Sequence, residues 1–496
     1  MRNFTIDEVV KATGGKLAHG SGDAVIGNIC TDSRIAEPGD LFICLIGENN
    51  DAHKFLPQVL ERGCHAVLVS DLEKAEEAIA GFDAGEDACK ACGDGSKEIA
   101  VILVDDTTKA LQNMAKYYLE TLPLKAKIAV TGSVGKTSTR DMMYAVAASK
   151  YKAAKNLKNY NNWFGLPLSI LAFPPDTEVC VLEMGMDNFG QIETLADIVR
   201  PNIALITNIG ISHIENLKSR EGILKAKLEV ATFFDETSTL IVNADCDLLS
   251  PESKILRDDQ ASKGYRLESV ASACQMDKPQ FAPAAAEYTI SDICDFGDKG
   301  IKYTLETLTE TIDISLPLPG AHNATNASLA IAAGELLGIT PAEAAQALAS
   351  AELTEKRLAI KEARGIKIID DTYNACPASV MSAITTLMKT DADKEGRRIA
   401  IIGDMYELGQ ETENGHRQVG EFAAESGVDI LIAVGDLARD YVAGAGGHMP
   451  TENVLYFPEK AELIECLPEI VRAGDIIMVK ASRGMKMEEI VQALTE

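Results

Sequence analysis

The stretch at residues 129–142, AVTGSVGKTSTRDM, limits the architecture of this chain more tightly than any other. Before the loop, Lys127-Ile128-Ala129-Val130 is an apolar run of strand type; after it, Met142, Met143, Val146 and Ala147 recur at helical spacing. A strand that enters a glycine loop and leaves as a helix is the opening of a parallel α/β unit. It also lets backbone N–H groups gather around phosphate at the positive end of the helix. Gly132 and Gly135 supply the turn, Lys136 the reach to the outer phosphates, and Thr137 a hydroxyl for Mg2+. The general phosphate loop has a further glycine five residues before Gly135, where this chain has Val130. What remains is a shorter loop, Thr131, Gly132, Ser133, Val134, Gly135, Lys136, Thr137 and Ser138. The bland alternative is a tight turn carrying a surface lysine, and the flanking strand and helix favour the phosphate loop over it.

With 496 residues, the chain holds about three domains at roughly 150 residues each. No apolar run reaches the roughly 18 residues of a membrane span, and the start MRNFTIDEVV has no signal-peptide character. Eleven cysteines, an odd number without a secretion signal, point to free thiols in a reducing cytoplasm. The net charge of −28 disfavours nucleic acid and anionic membranes as partners, since both call for cationic patches. An anionic small substrate stays compatible with it, because a few lysines and metal ions reverse the field within one cleft.

Residues 1–104 read as a small α/β module, with helices at 5–12 and 52–62 and strands at 40–46 and 66–70. Within it, Ser33, Arg34, Asn49, Asp51 and His53 are positioned to converge on a polar ligand, Arg34 being suited to phosphate; a cap beside a solvated charge is the competing reading. Cys89 and Cys92 sit in a Gly- and Asp-rich segment that reads as an exposed insertion rather than half of a zinc site. Residues 105–317 contain the glycine loop and further buried-strand runs. One run ends at Glu183 and another at residue 207, with His213 shortly after. Ligands of open α/β sheets bind beyond the carboxyl ends of the strands, so Glu183 and His213 are placed to approach the phosphates held by Lys136, and a solvated His213 weighs about equally. Lys225 and Lys227 lie on a helical pattern at 218–231 and read as exposed, towards acids or a site. Alternating runs at 286–294, 300–308 and 310–318 form an antiparallel meander. Residues 318–496 open on an Ala-rich helix and continue with strands at 366–371, 398–403, 429–435, 453–457 and 475–480. Helices separate these strands, so the third domain is a Rossmann-like, doubly wound one.

Taken together, TGSVGKTS at 131–138, NYNNWFG at 159–165, EMG at 183–185, TNIGISHIE at 207–215, KAKLE at 225–229, PGAHNATNA at 319–327, DDTYNACPASV at 370–380, GDMYELG at 403–409 and KASRGMKMEE at 480–489 resemble the Mur ligases. These are the ATP-dependent amide-forming enzymes of peptidoglycan precursor synthesis. TDSR, GDLF and NDAHKF resemble that family's uridine-nucleotide module, and DDTYNACP its members that add D-alanyl-D-alanine to UDP-N-acetylmuramoyl-tripeptide. Val134 departs from the asparagine or small residue often found there. The resemblance implies Mg2+, two ions, on Thr137, Glu183, His213 and a Lys227 carbamylated by CO2. It implies ATP held by residues 131–138, Asn323, Asn326, Arg357 and Asp371, and the dipeptide or acyl phosphate by Asn374, Ser482 and Arg483. Asn323, Asn326, Arg357 and Asp371 fall in the third domain on this reading, so the site would assemble on domain closure. A monomer is the family's usual state. A folate-type or other Mur ligase, or a nucleotide-gated interaction ATPase, are the rival readings.

Overall fold

A computed structural model describes residues 3–47, 50–83, 99–273, 286–351, 358–391 and 396–496. They fall into two compact units: Met1–Lys127, Tyr151–Met184 and Glu193–Arg200 form the first, and Ile128–Lys150, Gly185–Ile192 and Pro201–Glu496 the second.

The first unit opens with a helix, Ile6–Thr13. Thr5 accepts from the backbone of Glu8 while Glu8 accepts from the backbone of Thr5, so two N–H groups at the helix start are satisfied reciprocally. Its sheet has the order Lys16–His19, Ala100–Leu103, Ala66–Val69, Asp40–Ile43, Asn28–Cys30, parallel except for the first pair. Phe42, Val67 and Val101 bury one face of it against Val59 and Leu60. The single helix expected over 52–62 is a tight turn, Ala52–Phe55, followed by a helix, Leu56–Glu61, with a proline in its first turn. Pro57 has no N–H to continue a hydrogen-bonded run, which puts the new start there. Later in this unit, Val179–Glu183 pairs in parallel with Ala153–Lys155.

The second unit contains two sheets. In the first, Ala126–Thr131, Ile203–Ile206, Thr239–Asn243, Arg266–Ser272 and Tyr288–Asp295 follow one another in parallel, with Ile301–Glu306 and Thr311–Leu316 closing the edge antiparallel. The helix Lys136–Ala148 follows the glycine loop, and the Ala-rich helix His322–Leu336 packs directly on it. Small side chains explain the close approach: Ala327, Ala330 and Ala333 are fully buried. The helix after Pro319 is therefore a layer of the glycine-loop sheet rather than the start of the next one. The chain reaches the second sheet at Ala359–Ala363.

That second sheet has the order Ala359–Ala363, Ile366–Asp371, Ile476–Lys480, Arg398–Gly403, Ile430–Val434, Val454–Phe457, and all pairs but the first are parallel. Its inner strands are apolar on both faces, as sheets covered by helices on both sides must be, while the edge strand Ala359–Ala363 leaves Lys361 and Glu362 exposed. Ala400, Ile402 and Met478 meet Val380, Ile384 and Val419, while Ile401, Val479 and Ile432 meet Leu463 and Ile490.

Candidate active site at the glycine loop

Two close approaches dictate the glycines of the loop. Gly132 has φ +146°, and a β-carbon there would stand 1.9 Å from Thr207 Oγ1. Gly135, with φ +86°, caps the helix Lys136–Ala148, and its β-carbon would lie 2.9 Å from Asn326 Oδ1. The loop is braced from the end of the neighbouring strand. Asn208 Oδ1 accepts from the N–H groups of Ser133 at 3.1 Å and Val134 at 2.8 Å, Thr207 Oγ1 donates to the Val134 carbonyl, and the Gly210 N–H donates to Ser133 Oγ at 2.9 Å. Thr131, Thr137 and Ser138 are buried with it. Sequence reasoning gave Thr207 and Asn208 no role in the loop, although both open the TNIGISHIE motif at the carboxyl end of a strand.

Two lysines meet on one carbonyl. Lys136 Nζ donates to Gly132 O at 2.9 Å and to Ser133 O at 3.2 Å, and Lys227 Nζ donates to the same Gly132 O at 2.8 Å. Lys225 is exposed as expected, but Lys227 is only 3% exposed, contrary to the sequence expectation. On the helix Arg220–Leu228 it falls on the stripe of Ile223, Leu224 and Leu228, which faces the core. Burial, and then the charge of Lys136, push the Lys227 amine well below the usual lysine range. Burial of this kind disfavours the charged ammonium and favours the free amine, the nucleophilic form.

Asn326 Nδ2 donates to Asn323 Oδ1, and Asn323 Nδ2 to the Pro319 carbonyl. Both asparagines stand on the helix packed against the loop's own helix, so for them the expected assembly by domain closure does not apply. Asp371 does belong to the second sheet, at the end of Ile366–Asp371, where Lys480 Nζ donates to it at 2.5 Å and to Asn374 O at 2.8 Å. Beside it, Ser482 Oγ accepts from the Tyr406 N–H at 2.8 Å. Arg483 is exposed and paired with Glu488. His213 Nδ1 is 2.8 Å from Glu407 Oε2, and this bond holds the Glu407 carboxyl below its ordinary range. In the first unit, Glu183 ends its strand buried, and its carboxylate accepts from Asn161 Nδ2 at 2.8 Å. Among the described residues no three His, Cys, Asp or Glu side chains gather as a metal cage.

The small module divides its candidates. Arg34 is exposed and makes a forked bond to Asp32, with Ser33 buried next to it. His53 is buried, with both ring nitrogens engaged inside the unit: Nδ1 with Asp51 at 2.6 Å, and Nε2 accepting from the Ser70 N–H at 3.1 Å. Asp51 also takes Lys74 at 2.9 Å, so His53 and Asp51 shape the loop from within. Asn49, Arg357, Cys89 and Cys92 lie outside the described residues.

Comparison with known proteins bears on the same regions. Residues 130–334 match the Mur ligase middle domain, and residues 356–483 the Mur ligase glutamate ligase domain. The UDP-N-acetylmuramoyl-tripeptide--D-alanyl-D-alanine ligase of Bacillus subtilis is 37% identical over 99% of this chain and 98% of its own length. The enzyme of the same name from Escherichia coli is 31% identical over 100% of this chain and 99% of its own. Among solved structures, a MurF from Acinetobacter baumannii superposes with a TM-score of 0.84 at 27% identity, covering 100% of this chain and 99% of that one. A Thermotoga maritima MurF ligase in complex with ADP has the same fold, with a TM-score of 0.74 at 22% identity over 94% of this chain and 97% of that one.

Proposed function

The chain belongs to the Mur ligase family, and from that premise we infer its reaction: it is an ATP-dependent ligase that joins D-alanyl-D-alanine to a UDP-N-acetylmuramoyl-tripeptide. A carboxylate of the tripeptide attacks the γ-phosphate of ATP, ADP leaves, and an acyl phosphate forms. The amine of the dipeptide then adds to the activated carbonyl, and phosphate departs from the tetrahedral intermediate, leaving an amide.

The observation that carries this reading is the meeting of Lys136 and Lys227 on the Gly132 carbonyl, in a loop that leads straight into the helix Lys136–Ala148. A carboxylate and a triphosphate repel, so catalysis rests on positioning and on neutralising charge. Lys136 swings from the loop's own carbonyls to the outer phosphates, while Asn323 and Asn326, fixed beside Gly135, receive the nucleoside. Asp371, poised by Lys480, meets it from the second sheet, and Arg357 supplies a cation to the phosphates. Asn374, Ser482 and Arg483 orient the dipeptide at the carboxyl ends of that sheet. Arg34, Ser33 and Asn49 bind the uridine nucleotide, with Asp51 and His53 completing that set.

The donor set fits Mg2+, which keeps several waters and takes one or two carboxylates plus substrate phosphates rather than a protein cage. Thr137, Glu183, His213 and a carbamylated Lys227 would hold two ions, which supply charge neutralisation to the phosphoryl transfer. The free amine is the form that adds CO2, burial favours that form at Lys227, and carbamylation turns a buried cation-forming group into an anionic oxygen ligand. No helix among the described residues is long and apolar enough to cross a membrane. The reading places the enzyme in the cytoplasm as a monomer acting on small molecules. A phosphate-release assay across UDP-muramoyl-peptides and amino-acid or dipeptide acceptors tests it. Release that requires the tripeptide and D-alanyl-D-alanine together supports it, and release with glutamate or a folate overturns it.

A further inference from the structure

His213, a member of that ligand set, has its ring engaged by a side chain from the second sheet's loops. Its Nδ1 stands 2.8 Å from Glu407 Oε2, in the GDMYELG turn after Arg398–Gly403. Both residues hold left-handed backbone, φ +62° for His213 and +64° for Glu407, which non-glycine residues seldom adopt unless neighbours impose it. The neighbours are visible on both sides. The helix Ile214–Leu217 packs beside Gly409–Glu411, a β-carbon on Gly409 would meet Glu215 Cβ at 3.2 Å, and Ile211 packs against the second sheet's core. The Glu407 turn is itself anchored by the Tyr406 N–H on Ser482 and the Met405 N–H on His416.

Stability does not account for this pair. Glu407 is 64% exposed, and ion pairs so open to solvent contribute little. Two strained residues brought face to face make sense where ring orientation matters. With Nδ1–H donated to a carboxylate, the lone pair of Nε2 is left free, which is the arrangement that fixes a metal-ligating histidine's tautomer and raises its basicity.

We propose that Glu407 is a positioning residue for the metal site: the second sheet, through the GDMYELG turn, sets the tautomer and direction of His213 and so links its own docking to the second Mg2+. This inference rests on the reading of His213 as a metal ligand. The test measures Mn2+ binding to the full-length protein by electron paramagnetic resonance, with adenylyl imidodiphosphate present, for the wild type and for Glu407→Ala, Glu407→Gln and His213→Ala. The expected result has His213→Ala and Glu407→Ala each weakening one of the two Mn2+ sites by about tenfold or more. Glu407→Gln, whose amide oxygen still accepts from Nδ1–H, holds that site close to wild type, and nucleotide affinity and Tm stay unchanged. If His213→Ala weakens a site and Glu407→Ala does not, the positioning role is refuted while the ligand reading stands. If His213→Ala leaves both sites intact, the ligand reading fails and this inference with it. If Glu407→Ala lowers Tm and nucleotide binding along with both Mn2+ sites, Glu407 is merely structural and the proposal is overturned.

Discussion

Replacing Gly132 by alanine tests the loop geometry at its tightest point. The φ of +146° lies outside what an alanine adopts without strain, a cost of about 1–3 kcal/mol. The new methyl would also stand 1.9 Å from Thr207 Oγ1, a distance no relaxation of the methyl alone can relieve. Thr207 must rotate and give up its bond to the Val134 carbonyl, worth about 0.5–1.5 kcal/mol. The sum, roughly 2–4 kcal/mol, falls on global stability, or on nucleotide affinity if the loop rearranges instead, where it equals a loss of roughly 30- to 1000-fold. Urea denaturation and calorimetric titration with an ATP analogue read the two together. Gly14→Ala is the control: its φ is +69° with nothing within 4 Å of the added carbon, so it carries backbone strain without a clash and leaves nucleotide binding alone. A Gly132→Ala protein within about 0.5 kcal/mol of wild type and with full nucleotide affinity would refute the geometry.

Lys227→Ala should abolish turnover, with partial return in the presence of short-chain carboxylic acids that refill the place of the carbamate; full activity without additives would remove the carbamate from the account. Arg34→Ala should raise the KM for the UDP-linked substrate by roughly 10- to 150-fold while the KM for ATP moves little, and equal effects on both would detach the small module from uridine-nucleotide recognition. Asp404 is buried, and burial raises its carboxyl from 3.8 to about 6. Because the folded state binds the proton more tightly, the stability this group contributes is complete below pH 3.8 and lost as pH rises through about 6. Asp404→Asn should therefore match wild type near pH 4 and exceed it at pH 8, by up to about 3 kcal/mol in urea denaturation; a variant weaker at pH 8 would show that the ionised form is needed.

The parts of this molecule that could be read from sequence are those whose chemistry is local. The glycine loop announces itself because its glycines, lysine and threonine stand at fixed offsets between an apolar run and a helical period. Five strands of the second sheet are legible as apolar runs, whereas its edge strand Ala359–Ala363, with Lys361 and Glu362 exposed, is not. Partners distant in sequence are another matter. Asn208 and Thr207 brace the loop from more than 70 residues away, a relation that only the parallel pairing of their strands creates. The Pro319-Gly320 turn looks like a domain boundary, yet the Ala-rich helix beyond it packs back on the loop's helix and carries Asn326 to Gly135. His53 has the residue type of a site group, but burial turns both its nitrogens inward. Lys227 looks solvated because a lysine in a charged stretch usually is, and only the direction of its helix face decides otherwise. Short strands such as Lys16–His19 and Asn28–Cys30 have no alternating apolar signal and were invisible.

The central claim is that this chain forms one amide bond per ATP between a nucleotide-linked tripeptide and a dipeptide. Mass spectrometry of a reaction containing the purified protein, ATP, Mg2+, UDP-N-acetylmuramoyl-tripeptide labelled with 18O in its peptide carboxylates, and D-alanyl-D-alanine addresses it directly. The account predicts the UDP-linked pentapeptide, one ADP and one phosphate for each peptide bond, and one 18O atom transferred to that phosphate from the attacking carboxylate. Phosphate without label, or ADP formed with no peptide product, would contradict it.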